Sequence, residues 1–473
     1  MKIFILLAFL LIISAALLAQ VPPDTLWTHT YQNYGEAHSV VQTTDGGFAL
    51  AGSDRILKMD VNGIEEWSQT YVGQNYVGLF SIQQTIDNGY IAAGNTSAFL
   101  SSSSDLWLLK TDENGVEEWN HAFGAGNYND SAFSVQQTID GGYIVGGRTN
   151  SFGAGNSDFW LLKTDEDGVE EWSQTFGGTG YEEAYYTQQT TDGGYIIAGN
   201  TSSFGAGSDD IWLVKTDEDG NEEWNQTYGG AGHESGNSAQ QTSDGGYILA
   251  GSTSSLGDEW GEFWLVKTDA DGNEEWNQTF FGRPDAEFAR SVRQTVEGGY
   301  IVIGISVWGA GASGLLAIET DSNGIMEWSL GYSTISNLTA LDVKQTSDEG
   351  YIICGSVDDE TNLWVMRLDD YVAEAGVFVN QPTFFINNHP NPFNPSTNIL
   401  FSIPDKADID ISVYNMKGQR VKALIKESYG SGEHSVIWNG DDESGKPVGS
   451  GIYFYKFNVN GKNEAVKKCL LLK

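Results

Sequence analysis

The chain has 473 residues, 64 acids against 24 bases and a formal net charge of −40. A surface that negative repels nucleic acid and anionic lipid, which excludes both as partners and leaves cation binding or a cationic partner open. The charge is also uneven: residues 386–473 hold nine acids and eleven bases, whereas the rest, Lys2 aside, holds 55 acids against 12 bases, so two modules of different surface chemistry are expected.

Met1 and Lys2 precede an apolar run from Ile3 to Ile13, followed by Ser14-Ala15-Ala16-Leu17-Leu18-Ala19-Gln20. A charged start, a short apolar stretch and a small residue before the cut describe a secretory signal peptide over residues 1–19. The run is short for a bilayer, which takes roughly 20 apolar residues, and no later segment reads as a transmembrane helix. An exported, soluble protein is expected. Cys354 and Cys469 fall in different modules, and no cysteine or histidine spacing suits a metal.

Residues 20–370 repeat with a period of 52 or 53, a size that suggests solenoids, propellers or arrays. In the copy that starts at Ala184, four short strands are predicted. The first ends in Gln188-Gln189-Thr190, then come Tyr195 to Ala198 and Ile211 to Thr216, and the last surrounds Trp224. Asp-Gly-Gly joins the first pair and Asp-Glu-Asp-Gly the last pair, and both are hairpin signals because Gly supplies positive φ and Asp tolerates it. Four antiparallel strands in about 50 residues make one propeller blade. The Gln-Thr pair occurs seven times, ending at Thr43, Thr85, Thr138, Thr190, Thr242, Thr295 and Thr346. The order is out of phase, however. The chain opens on a fourth strand, Leu26 to Tyr31, and its last copy stops after the third, Trp364 to Leu368. The expectation is an all-β, seven-bladed β-propeller closed by an N-terminal strand, which removes two exposed sheet edges. The pattern resembles the secreted bacterial and archaeal propeller repeats with QQTxDGGYIxAG and WLxKTDxxGxxxW blocks. That resemblance implies a fold and little about activity.

Residues 371–385 lack the repeat and read as a linker. Beyond them, over 386–473, Ile409 to Tyr414 and Ile452 to Phe457 alternate apolar with polar. About seven short strands in so small a module predict an immunoglobulin-like β-sandwich. Asn391-Pro392-Phe393-Asn394-Pro395, Tyr414-Asn415-Met416-Lys417-Gly418-Gln419, Trp438-Asn439-Gly440 and Ser450-Gly451-Ile452-Tyr453 resemble two related families. These are the flagellar hook-cap immunoglobulin-like domain and the C-terminal sorting domain of the type IX secretion system. The resemblance implies contact with an export machinery and delivery to, or anchoring at, the cell surface.

Enzyme signatures are absent: the histidines are scattered, and there is no G-x-S-x-G elbow, phosphate loop or H-E-x-x-H. Turns such as Asp217-Glu218-Asp219-Gly220 offer oxygens to calcium (Ca2+) but lack the register of an EF-type loop, and they read as hairpins. Residues identical in every blade serve the blade, so the Gln of Gln-Thr and the Trp of the fourth strand are assigned to packing between blades. Residues that vary at one place are free to serve a ligand. Five places before each of those Thr residues stand His38, Phe80, Phe133, Tyr185, Asn237, Arg290 and Leu341. Three places earlier in four successive blades stand Asp130, Glu182, Glu234 and Glu287, and the loops between second and third strands add Asp105, Asp158, Asp210 and Glu262 to the same face. The candidate site is therefore an acidic, aromatic mouth of Asp130, Phe133, Glu182, Tyr185, Glu234, Asn237, Glu287 and Arg290, with calcium as its one candidate cofactor. A plain solvated acidic rim is the competing reading. The functional expectation is a secreted or cell-surface, non-enzymatic binding or adhesion protein with a glycan or protein ligand. The alternatives are a carbohydrate-active hydrolase or lyase using the mouth carboxylates, and a ligand-free surface-layer protein.

Overall fold

Each repeat folds as its turns dictate. In the computed structural model the copy that begins at Glu182 forms strands Glu182–Gln189, Tyr195–Thr201, Asp210–Thr216 and Glu222–Tyr228, paired antiparallel in chain order. In its first hairpin Asp192 Oδ1 accepts from Thr190 Oγ1 at 2.5 Å and from Gly194 N at 3.1 Å, while Gly193 takes φ +95°. In its last hairpin Asp217 Oδ1 accepts from Asp219 N at 3.0 Å and Asn221 N at 2.8 Å. Gly220 there has φ +78°, and a Cβ on it would stand 2.6 Å from the Trp172 ring of the preceding sheet. Glycine is thus required both for its dihedral and for the close approach of that ring.

The structure describes residues 23–369 except 72–75, 98–102, 257–260, 281–285, 309–311, 334–336 and 359, and residues 385–471 except 390–392, 394, 404–405, 431 and 461. The expected signal peptide, residues 1–19, and residues 371–384 of the expected linker lie outside these. The chain divides into two compact units, residues 1–373 and 374–473.

Among the described residues the first unit holds seven four-stranded sheets, the blades of a propeller-like all-β fold. They begin at Ser39, Tyr76, Asp130, Glu182, Glu234, Ala286 and Leu338 and are called blades 1 to 7. Successive sheets bury a common core; Ile196, Leu213, Leu249 and Trp264 belong to one such layer between blades 4 and 5. First strands of neighbouring blades lie side by side, and Leu338–Gln345 of blade 7 lies against Ser39–Gln42 of blade 1. The repeated Gln crosses between blades: Gln241 Oε1 accepts from Thr191 N at 2.9 Å, and Gln42 Oε1 accepts from Ser347 N at 2.7 Å. The fourth strand of blade 7 is the N-terminal strand Thr25–Tyr31, antiparallel to Asn362–Leu368, with Trp27 opposite Arg367. Trp27 then sits under Gly63 of blade 1, where a Cβ would meet its ring at 2.8 Å, as Trp172 sits under Gly220.

A buried lysine recurs on the third strand. Lys215 Nζ lies 3.0 Å from Asp192 and 2.8 Å from Glu223, and Lys58, Lys110, Lys163 and Lys267 repeat the arrangement. Blade 7 uses Arg367 with Asp348, whereas blade 6 places Glu319 there.

The second unit has a sheet of Phe385–His389, Thr397–Ile403 and Gly432–Trp438, and another of Arg420–Tyr429, Ala407–Asn415, Gly451–Val459 and Lys462–Leu471. Both contribute to one core that includes Phe401, Ile411, Val413, Trp438 and Tyr455. Residues of the recognised motifs converge there: Phe393 and Tyr453 pack on Trp438 with ring centroids 5.3 Å and 5.1 Å away. Asn391, Pro392 and Asn394 lie outside the described residues. Cys354 and Cys469 are buried free thiols.

Candidate functional site

The acids of the expected mouth occupy the start of each inner strand, but they do not form an open rim. Relative exposure is 0% for Asp130, Glu182 and Glu234 and 1% for Glu287. Glu182 Oε1 accepts from Thr201 Oγ1 at 3.0 Å and Ser203 N at 3.1 Å, and its Oε2 accepts from Gly178 N at 2.8 Å. Glu234 repeats this with Thr253, Ser255 and Gly230 at 3.0, 3.0 and 2.8 Å. Asp130 takes the hydroxyls of Thr149 and Ser151, each at 2.5 Å, and Glu287 takes that of Ser306 at 3.2 Å. Glu182 and Glu234 thus fasten the loop that enters the inner strand to the loop that leaves the second strand.

A ligand or water at these carboxylates would have to displace bonds whose loss leaves buried donors unsatisfied. Among the described residues no group of three or more His, Cys, Asp or Glu side chains is placed to hold a metal ion. Beside each clasp lies the acid of the neighbouring third strand. Asp158 is pushed up to about 6, first by burial and then by the Glu182 carboxylate, despite a bond from Ala154 N. Asp210 is raised chiefly by burial, with Glu234 and Asp209 adding to it against a bond from Ala206 N. Asp105 is raised by burial and by Asp130.

The variable column has a different environment. Each of Phe80, Phe133, Tyr185, Asn237, Arg290 and Leu341 is the residue skipped by the register between first and second strands. A bulged residue pairs with nothing across the ladder and is re-aimed by the local kink. All of these, with His38, are half-buried, while Ala132, Ala184, Ala289 and Ala340 just before the bulges are fully buried. Rings from successive blades meet in an arc: His38 to Phe80 at 4.9 Å, Phe80 to Phe133 at 5.4 Å and Phe133 to Tyr185 at 5.3 Å. Asn237 Nδ2 donates to Ala289 O at 2.8 Å, while the Nε of Arg290 is buried without a hydrogen-bond partner.

The sequence reading missed the charges two places before the bulge. Tyr185 OH donates to Glu183 Oε2 at 2.5 Å, and Glu183 pairs with Arg148 of the second strand. Glu36 lies 3.5 Å from His38 and is pushed up to about 6, chiefly by burial and then by Glu360, against the Ser356 bond and the Arg290 charge. Burial pushes His38 down to about 4, so it is neutral at pH 7. A cleft of about 460 Å³ opens elsewhere, lined by Phe123, Phe152, Trp160 and Gln174. Its Phe152–Trp160 pair recurs as Phe204–Trp212 in the next blade, which marks it as part of the repeat.

Four-stranded blades followed by a small two-sheet unit define a propeller-like protein with a sandwich at its C-terminal end. Residues 387–472 match the family model of the secretion system C-terminal sorting domain. The chain therefore carries a type IX sorting domain, which implies interaction with the secretion machinery and makes this a secreted or cell-surface protein. No curated protein matches the sequence. Among solved structures, a chain of the mitotic checkpoint complex aligns over 78% of this chain and 99% of that one, at 11% identity and TM-score 0.51, a likeness of fold alone. PorZ, a bacterial surface component of the type-IX secretion system of Porphyromonas gingivalis, aligns over 91% of this chain and 69% of that one at 10% identity and TM-score 0.36. Drosophila Semaphorin 2a aligns over 96% and 98%, at 7% identity and TM-score 0.48. Among the described residues no helix is long and apolar enough to cross a membrane.

Proposed function

We propose that the propeller is a non-enzymatic binding module, delivered to the cell surface by the sorting domain, that takes its ligand in a central channel lined by the bulge column. The contrast within the blade carries this reading. Turn, lysine and tryptophan positions are near-copies from blade to blade, whereas the half-buried column changes from aromatic at His38, Phe80, Phe133 and Tyr185 to polar at Asn237 and Arg290. An aromatic arc continued in the next blades by polar groups is the make-up of a ligand site. The hydrolase alternative needs two carboxyl groups open to substrate. Asp130, Glu182, Glu234 and Glu287 are instead buried on second-strand hydroxyls, with loop donors added at the first three, which favours binding over hydrolysis.

The test is a glycan and protein array probed with residues 20–473 and with the same chain carrying Phe133→Ala and Tyr185→Ala. A defined set of ligands lost in the double variant, at a melting temperature within a few degrees of the parent, is the expected result. Equal binding by both proteins, or release of sugar from a bound polysaccharide, would overturn the reading.

A further inference from the structure

Arg290 is the basic member of the column, and among the described residues no carboxylate is in ion-pair contact with it. Its Nε is buried and unpartnered, and no hydrogen bond or ion pair engages its guanidinium among the described residues. Burial lowers its pKa, and the Glu36 carboxylate acts against that from beyond ion-pair distance. Glu36 accepts from Ser356 Oγ at 3.4 Å and lies 3.5 Å from the neutral His38, and the Tyr185 hydroxyl donates to Glu183. Glu183 in turn is held by Arg148. Burying a cation away from water without a partner is unfavourable, and a guanidinium offers a planar fork that matches a carboxylate in bidentate fashion. The remaining column supplies the flat faces of Phe133 and Tyr185, with centroids 5.3 Å apart, and the amide of Asn237.

We propose that Arg290 binds the carboxylate of a terminal uronic-acid residue of a glycan, whose ring lies on the Phe133–Tyr185 faces. This rests on the channel being the binding site. The protein's own charge of −40 supports a ligand bearing a single charge, since a polyanion would be repelled at long range. Ring hydroxyls would meet the amide of Asn237, and the sugar's apolar face would meet the aromatic arc.

The experiment is calorimetric titration of residues 20–473 with a disaccharide ending in glucuronic acid, its glucose-ended counterpart, and a short peptide with a free C-terminal carboxylate. The acidic sugar is expected to bind at least ten-fold more tightly than the neutral one. Arg290→Gln should remove that difference, and Arg290→Lys, which keeps the charge without the fork, should retain part of it. Without ligand, Arg290→Gln should melt no lower than the parent, because it removes a half-buried cation that no described residue pairs. Equal binding of both sugars by the parent would overturn carboxylate recognition while leaving the channel reading intact. Tighter binding of the peptide would overturn the uronic-acid assignment. A destabilised Arg290→Gln protein would show that the guanidinium serves the fold, and would also overturn the proposal.

Discussion

Replacing Trp27 by Ala separates a strand that completes blade 7 from one that merely precedes blade 1. The Trp27 ring lies against Phe48 at 6.1 Å and His29 at 5.1 Å, and under the glycine turn of blade 1. A fully buried Trp→Ala change costs about 3–5 kcal/mol, so for this half-buried ring about 2 kcal/mol is expected. Trp172 provides an internal standard: it holds the same repeat position beneath Gly220, in a blade whose four strands follow one another in the chain. Urea unfolding of residues 20–473, followed by circular dichroism, should therefore give losses of similar size for Trp27→Ala and Trp172→Ala. A Trp27→Ala protein within about 0.5 kcal/mol of the parent, beside a clearly weakened Trp172→Ala protein, would refute the docking of the N-terminal strand. Removing residues 20–34 should go further and expose the edge of Asn362–Leu368. That edge invites pairing with other chains, so aggregation on size-exclusion chromatography is the expected outcome.

Glu319→Lys should stabilise the protein by about 1 kcal/mol at pH 7, because it restores the lysine of blades 1 to 5 between Glu297 and Glu327. Burial leads in raising the Glu319 pKa, with Glu327 and Glu297 adding to it against bonds from Tyr351 and Trp328. Stability from a carboxyl so raised is present below its unfolded pKa and lost as pH rises through the folded value, so the gain should be smaller at pH 4 in thermal melts. Asp158, ordinarily at 3.8 and here at about 6, follows the same sign: its contribution is complete below about 4 and lost as pH climbs past 6. Asp158→Asn should accordingly flatten the melting curve between pH 5 and pH 8 and raise the melting temperature at pH 8, provided that the amide bonds Glu182. Removing residues 386–473 should leave a folded propeller and abolish surface delivery, as read by surface labelling of cells; normal display of the truncated protein would contradict the sorting role.

The blade was legible because its period of 52 or 53 residues lines up the residues that must recur. Gln241 and Trp172 are assigned to blade contacts from repetition alone, and the Gln241–Thr191 bond and the Trp172–Gly220 contact are those contacts. The position of the inner acids was legible but not their surroundings, because an acid at a strand start reads the same whether it faces water or neighbouring donors. What decides is Thr201 and Ser203, about two strands further along, and their counterparts Thr149 with Ser151 and Thr253 with Ser255. That recurring Thr-x-Ser was the available signal. The column was visible from its variation, but not its geometry, because a bulge is set by register against the second strand. Arg148 and Glu183 occur as a pair in single copies, so the repeat pointed to neither.

Filling the proposed binding site tests the central claim most directly. Asn237→Trp adds an indole to the column, while Gln174→Ala alters the outer cleft. Parent and both variants, each as residues 20–473, are compared on the same array with melting temperatures recorded alongside. The parent and Gln174→Ala are expected to bind alike, and Asn237→Trp to lose the ligand while remaining folded. Undiminished binding by a folded Asn237→Trp protein would contradict the central claim.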